Sequence, residues 1–383
     1  MIPLSTPNIN GNEWKYVKEC LDTEWVSSSG KYVDKFEEKI AYYTKSKYAV
    51  ACTNGTSALQ VSLRLAGVQA GDEVIVPSLT FIAPVNAITY NNASPIFMDV
   101  DKFYNIDSEK TVDFINKETE YINGFSYNKK TKKRISAIIP VHMWGNAVLL
   151  EELDSICKER NISLIEDASE SLGTYYSKNN YNGKHTGTVG DIGCLSFNGN
   201  KIITTGGGGM ILTNNEATAE KAKYLTTQAK DDPIRYIHND IGYNFRLTNI
   251  QAAVGVAQLE QLPLFLNKKI KIYNKYRNEI DKIDGLNIAN VPSYAKNNHW
   301  MILLQIDEKK YGKNRENLMI SLSEKNIQTR PAWAPIHLQK PYQNYQSFSI
   351  DKTNDLVNIS LCLPSSTNIS SNDLNKIISS LSL

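Results

Sequence analysis

Three segments of the chain carry residue types that can do chemistry together. TNGTSAL (53–59) is a glycine-containing turn between a strand-like run and a helical one. The free N–H groups and positive dipole end of such a helix suit a phosphate. An ordinary strand-to-helix turn capped by Thr56 or Ser57 needs no ligand, and taken alone it explains the segment equally well. No Gly-Lys-Ser/Thr follows, so this is not a Walker loop. ISLIEDASES (162–171) is an apolar run that ends in Glu166, Asp167 and Glu170. Acids at the carboxyl end of a sheet strand can bind a metal, serve as a base, neutralise a cationic ligand or cap a helix. Metal is the weaker choice, because no His-x-His or carboxylate–His spacing lies nearby. LSFNGNKIITTGGGGM (195–210) sets Lys201 among apolar runs with four consecutive glycines behind it. A dinucleotide fingerprint starting at Gly206 would need glycine at Ile211, and a strand-like run rather than a helix follows. Four glycines instead suit a backbone that passes close beneath a flat ligand.

A lysine held among apolar neighbours has its charged form disfavoured, which frees an amine to attack carbonyl carbon. A phosphate-binding turn, a strand-end aspartate and such a lysine together fit pyridoxal 5′-phosphate (PLP). Its aldehyde condenses with the lysine, its pyridine nitrogen pairs with Asp167, and its phosphate takes the helix end. An Asp–pyridinium pair about 4 Å apart, at an effective dielectric near 20, is worth roughly 4 kcal/mol before desolvation. That is enough to keep the ring nitrogen protonated at neutral pH.

The elements that must position these groups read as an α/β protein. YAVAC (48–52), EVIVP (73–77), PIFMDV (95–100), AIIPV (137–141) and ISLIEDA (162–168) are unbroken apolar runs separated by helical stretches. Such runs mark a mostly parallel sheet covered by helices on both faces. GCLSF (193–197) and MILT (210–213) extend the strand pattern. Amphipathic helices are expected over 12–21, with Trp14, Val17 and Leu21 inward, over 31–43 and over 215–227. A further helix over 247–262 is expected to end at Pro263, with a separate Lys-rich helix after it. The remainder mixes strands such as WMILLQID with helices, as in a smaller α+β domain. The expected division is a large domain over 1–250 and a small one over 251–383.

The 383 residues hold 42 Lys+Arg against 40 Asp+Glu and are 41% hydrophobic. Near-neutral charge removes the broad electrostatic case for a nucleic-acid or membrane-surface protein. The one basic cluster, NKKTKKR (128–134), reads as a solvated loop. The start MIPLSTPNING lacks a basic head and an apolar run, and no stretch of about 18 apolar residues occurs. The five scattered cysteines are odd in number, which fits buried thiols. A cytoplasmic protein is expected.

The ordered set of motifs, from PLSTPNINGNEW to the carboxyl-terminal LPSS, resembles the fold type I nucleotide-sugar aminotransferases of the DegT/DnrJ/StrS group, which use PLP. The resemblance implies that Lys201 joins the cofactor, Asp167 meets the pyridine nitrogen, and Gly55, Thr56 and Ser196 hold the phosphate. It further implies that Phe81 stacks on the ring and that Asn244 of GYNFRLTN reaches the phosphate of a neighbouring subunit, in an obligate homodimer or larger assembly. EWVSSSGKYV resembles the segment that contacts the nucleotide sugar, here through Glu24, Trp25, Val26 and Ser27. TRPAWAPIH resembles the segment that supplies Arg330, Pro331, Ala332, Trp333 and His337 around sugar and amino donor. Many relatives carry Gln or His where this chain has Glu170, touching the ring hydroxyl; a carboxylate there repels a phenolate unless one is protonated, which leaves the role of Glu170 open. Gly207 likewise replaces the acid of a TTGEGG motif. SFNGNKIITTGGGGM is most similar to enzymes acting on UDP-linked 4-keto-6-deoxy-N-acetylhexosamines. The implied reaction moves the amino group of L-glutamate to the C4 ketone, for surface polysaccharide or nonulosonic acid synthesis. A PLP sugar dehydratase on this fold would typically carry His in place of Lys201, and a non-catalytic regulator would be expected to carry an appended domain.

Overall fold

The computed structural model describes residues 1–382. Seven strands and a two-residue edge strand form the main row of its ten-stranded central sheet. In spatial order they are Tyr48–Cys52, Gly209–Thr213, Ile192–Ser196, Ser163–Asp167, Arg134–Ile138, Glu73–Pro77, Ser94–Met98 and Ser347–Phe348. All neighbours from Ile192–Ser196 onward pair in parallel, and Gly209–Thr213 runs antiparallel to both of its neighbours. The runs read as apolar are buried on both faces: every residue of Glu73–Pro77 and of Gly209–Thr213 is buried. This is the expected α/β architecture. It brings Cys52, Asp167, Ser196 and the start of the antiparallel strand, Gly209, to one end of the sheet, where α/β folds bind ligands. The segment before Arg134 forms the helix Ser108–Glu118 and the hairpin Thr119–Ile122/Phe125–Asn128, whose second strand pairs with the start of Arg134–Ile138.

Helices Glu13–Asp22 and Lys31–Thr44 pack against a single long helix, Asn249–Ile280. Two expectations fail here. The first helix turns Glu13 and Cys20 inward and leaves Trp14 and Leu21 79% and 54% exposed. Glu13 is satisfied inside: its two carboxylate oxygens accept from Gln258 Nε2 and from the Gly11 amide. The long helix, opened by a Thr248/Gln251 capping box, also runs straight past Pro263. An interior proline costs about 3 kcal/mol. Pro263 faces solvent, and Leu259, Leu262 and Phe265 are buried on the opposite side; side chains of this size each return roughly 1.5–3 kcal/mol on burial.

The long helix joins two cores. Its first half, including Ala252, Val256 and Phe265, packs into the core of the large sheet. Its second half, with Ile272, Tyr276 and Ile280, packs against a four-stranded antiparallel sheet of Leu286–Ile288, Ile302–Ile306, Ser360–Leu363 and Arg330–Pro331. The division expected after residue 250 falls at the start of this helix. All five cysteines are free and buried. Among the described residues no helix is long and apolar enough to cross a membrane.

Candidate active site

At the carboxyl end of the central strands lies a cavity of about 340 Å³ lined by Gly55, Thr56, Phe81, Asp167, Glu170, Ser196, Lys201 and Trp333, among others. Alternation along Ser163–Asp167 sends its last two acids to opposite faces. Glu166 does not line the cavity. It accepts from His142 Nε2 at 2.9 Å and from the amides of Gly187, Val189 and Gly190 at 2.8, 2.7 and 2.7 Å. Burial alone would raise its carboxyl, but these donors hold it below the ordinary carboxylate range. Glu166 is therefore a structural acid, as capping or network acids are.

Asp167 does face the cavity. Its Oδ1 accepts the Ser169 amide at 3.0 Å, and its Oδ2 has no hydrogen-bond partner among the described residues. Burial raises this carboxyl despite the hydrogen bond from Ser169 and the charge of Lys201. A buried acid with one open oxygen is a fitting partner for a protonated ring nitrogen. Glu170, one helical turn's distance along the chain, accepts the Trp144 amide at 2.8 Å on Oε2. Its Oε1 lies 3.6 Å from Lys201 Nζ. Burial pushes the Glu170 carboxyl up to about 7 against the opposing charge of Lys201. Lys201 Nζ also sits 4.1 Å from the centroid of the Trp300 ring.

The turn expected to hold a phosphate is built by close approach. Asn54, rather than Thr56 or Ser57, caps the helix Gly55–Leu65: its side chain takes the Ser57 amide at 2.8 Å and its carbonyl the Ala58 amide at 3.1 Å. The Gly55 and Thr56 amides keep no protein partner among the described residues and meet the cavity as free donors. A Cβ on Gly55 would lie 2.9 Å from Ser196 Cβ, and one on Gly209 would lie 2.4 Å from the Asn54 carbonyl oxygen. Only glycine lets the helix start and the two strand ends converge there. A Cβ on Gly207, by contrast, would have no neighbour nearer than 3.8 Å, so the position that carries an acid in TTGEGG has room for one.

Other expected site residues lie elsewhere in this chain. Glu24, Trp25 and Val26 are exposed, and the Trp25 and Ser27 carbonyls are held by the side chain and amide of Asn249. Asn244 is exposed outside the cavity, beside Arg246. Arg330 is exposed and begins the short strand with Pro331; Ala332 is buried and its amide donates to the Ser360 carbonyl. His337 is half-buried beside Phe97, where burial pushes its imidazolium down. Of that segment only Trp333 reaches the cavity, 5.2 Å from Phe81 between ring centroids.

Reading the sequence missed two tryptophans. Trp300 opens the strand-like WMILLQID run and carries no signal apart from it, yet its ring lies against Lys201. Trp144 packs 4.5 Å from Trp333 and 6.2 Å from Trp300, and its amide holds Glu170. Its backbone is left-handed (φ 59°), a conformation a sequence motif without glycine does not announce.

An amine, an open buried aspartate and a phosphate cradle around one cavity fit PLP, and this fold with this site defines a PLP-dependent aminotransferase. The chain belongs to the DegT/DnrJ/EryC1/StrS aminotransferase family, whose pattern matches residues 7–382. It is 38% identical to the GDP-perosamine synthase of Escherichia coli O157:H7 over 91% of this chain and 89% of that one. It is 34% identical to the GDP-perosamine synthase of Caulobacter vibrioides over 99% and 97%. The crystal structure of DesI in the presence of its TDP-sugar product superposes with a TM-score of 0.87 at 26% identity, over 100% of this chain and 91% of that one.

Proposed function

We propose that this enzyme transfers the amino group of L-glutamate to the C4 ketone of a nucleotide-linked 4-keto-6-deoxy sugar. The sugar we assign is UDP-2-acetamido-2,6-dideoxy-4-hexulose, and its UDP-4-amino product would serve surface glycan or nonulosonic acid synthesis. The observation that carries the reading is the convergence of Lys201, Asp167 and the Gly55–Ser196 cradle on one cavity walled by tryptophans. When bound, PLP supplies an electron sink for the carbon that loses a proton. Around it, Asp167 would hold the ring nitrogen in its protonated form, and the Gly55 and Thr56 amides with Ser196 would hold the phosphate. Lys201 Nζ is the amine and the atom that carries a proton to and from substrate carbon. Kinship with two GDP-perosamine synthases and with DesI supports a nucleotide-sugar substrate. The UDP group rests on the resemblance of SFNGNKIITTGGGGM.

Among the described residues, Lys201 is the single cationic side chain lining the cavity. A dicarboxylate donor and a sugar diphosphate both call for more. We therefore assign the active unit as a homodimer, in which Asn244 and the Glu24–Ser27 segment face the partner's cavity.

Borohydride reduction of the PLP-loaded protein followed by peptide mapping should place the cofactor on Lys201. Mass spectrometry of products from UDP-, GDP- and dTDP-linked 4-keto sugars with glutamate then reads the substrate. We expect an amine in place of the ketone with the UDP sugar. Product from another nucleotide alone would overturn the UDP assignment, and no amine from any of them would overturn the reaction.

A further inference from the structure

We infer that Glu170 is a second catalytic residue: its Oε1 exchanges a proton directly with Lys201 Nζ. The inference rests on the aminotransferase reading above.

Geometry isolates this pair. Glu170 and Lys201 side chains are 3% and 13% exposed, with Oε1 and Nζ 3.6 Å apart. That is an ion-pair separation, which a small rotation of either side chain closes to a hydrogen bond, as apo sites commonly require. The other oxygen, Oε2, is pinned by the Trp144 amide at 2.8 Å, and the Glu170 carbonyl is pinned by Asn298 Nδ2 at 2.8 Å. Oε1 is thus the free end of a fixed carboxyl. Trp144 delivers its amide from a left-handed backbone (φ 59°) that a β-carbon disfavours. Strain of this kind persists at sites where the geometry is used.

Charge around the carboxyl favours exchange. Lys201 faces it from the glycine-run segment, Asp167 from its own strand end, and the Cys362 thiol from Ser360–Leu363. Burial pushes that thiol up to about 12, so it stays neutral and does not compete. Two acids and one amine leave one negative charge in excess, and burial with Asp167 close by raises the Glu170 carboxyl to about 7. The Glu170 carboxyl therefore gains or loses a proton near the working pH. In the step proposed, the N–H bond of the ammonium breaks and an O–H bond forms at Oε1. A Lys⁺/Glu⁻ pair becomes a neutral amine beside a neutral carboxyl, with no net change in charge. Reversal returns the proton when Nζ must be protonated again. Asp167 cannot do this, because it makes no contact with Nζ within ion-pair distance and its open oxygen is needed elsewhere.

Glu170→Gln tests the step, since glutamine keeps the acceptor for the Trp144 amide and cannot exchange the proton. With the PLP-loaded protein and glutamate, the wild-type single-turnover rate should rise with pH through about 7. In the variant it should fall about 100-fold or more, lose that rise, and leave the KM for glutamate within about threefold. Carbon-13 NMR of δ-labelled glutamate in the PLP-free protein gives a readout apart from turnover. One carboxyl should titrate near 7 in the wild type and be missing in the variant. Glu170→Asp, which retains a carboxyl, should restore the pH dependence at a reduced rate, and serves if the Gln variant folds poorly. A Gln variant with unchanged rate and pH profile, or a Glu170 signal titrating with the surface glutamates, would overturn the inference. A wild-type protein that takes up no PLP would overturn the aminotransferase reading instead, and the NMR titration would still report on Glu170.

Discussion

Lys269 offers a test of the electrostatics that is independent of the reaction. It lies in the long helix, 4% exposed, and donates to the Trp300 carbonyl at 2.8 Å, the Ser365 carbonyl at 2.5 Å and Ser365 Oγ at 3.0 Å. Among the described residues it forms no ion pair, and burial lowers its ammonium from 10.5 to about 7. Below about pH 7 both folded and unfolded chains hold the proton, and the folded state bears the full cost of a buried cation. Between about 7 and the ordinary lysine range only the unfolded chain keeps it. Unfolding then takes up a proton, so stability rises with pH at about 1.4 kcal/mol per pH unit. Over the two units from pH 7 to 9 this amounts to about 3 kcal/mol, and over the whole window to about 5. Lys269→Met removes that slope. It also removes a donor from three acceptors, of which the Trp300 carbonyl keeps Ser365 Oγ at 3.5 Å, an offset of about 1–3 kcal/mol for each acceptor left unmet that does not vary with pH. Urea unfolding of the PLP-free wild type and variant at pH 6, 7, 8 and 9 isolates the difference. The variant should lose about 3 kcal/mol relative to wild type between pH 7 and 9. Parallel stability curves would show that Lys269 is not a depressed, buried cation.

The cradle and the acid network give two further checks. Gly55→Ala, whose methyl meets Ser196 Cβ at 2.9 Å, should weaken PLP affinity tenfold or more in a fluorescence titration, about 1.4 kcal/mol. Gly207→Ala, with nothing nearer than 3.8 Å, should bind PLP as the wild type does. Glu166→Gln leaves His142 and three amides facing a neutral acceptor, and should cost about 3 kcal/mol in urea unfolding near neutral pH. Because the folded Glu166 carboxyl is held below its ordinary range, its stabilisation is complete above that range and lost as pH falls through the lower value. The deficit of the Gln variant should therefore shrink on acidification.

Much of this was legible in the chain itself. The apolar runs 48–52, 73–77 and 210–213 are strands of the central sheet because a sheet covered on both faces needs no alternation, and that signal is local. Lys201, Asp167 and the Gly55 turn could be read as one site, because parallel topology gathers strand ends however far apart they lie in sequence. Tertiary packing decided what periodicity leaves ambiguous. It chose which face of Glu13–Asp22 turns inward and carried the long helix past Pro263. It also split Glu166 from Asp167, because adjacent strand residues face opposite sides. It set Trp144, Trp300 and Lys269 beside or behind Lys201 from segments up to 156 positions apart in the chain (144 to 300). Contacts of that range depend on where whole elements dock, and no local pattern of residue types encodes it.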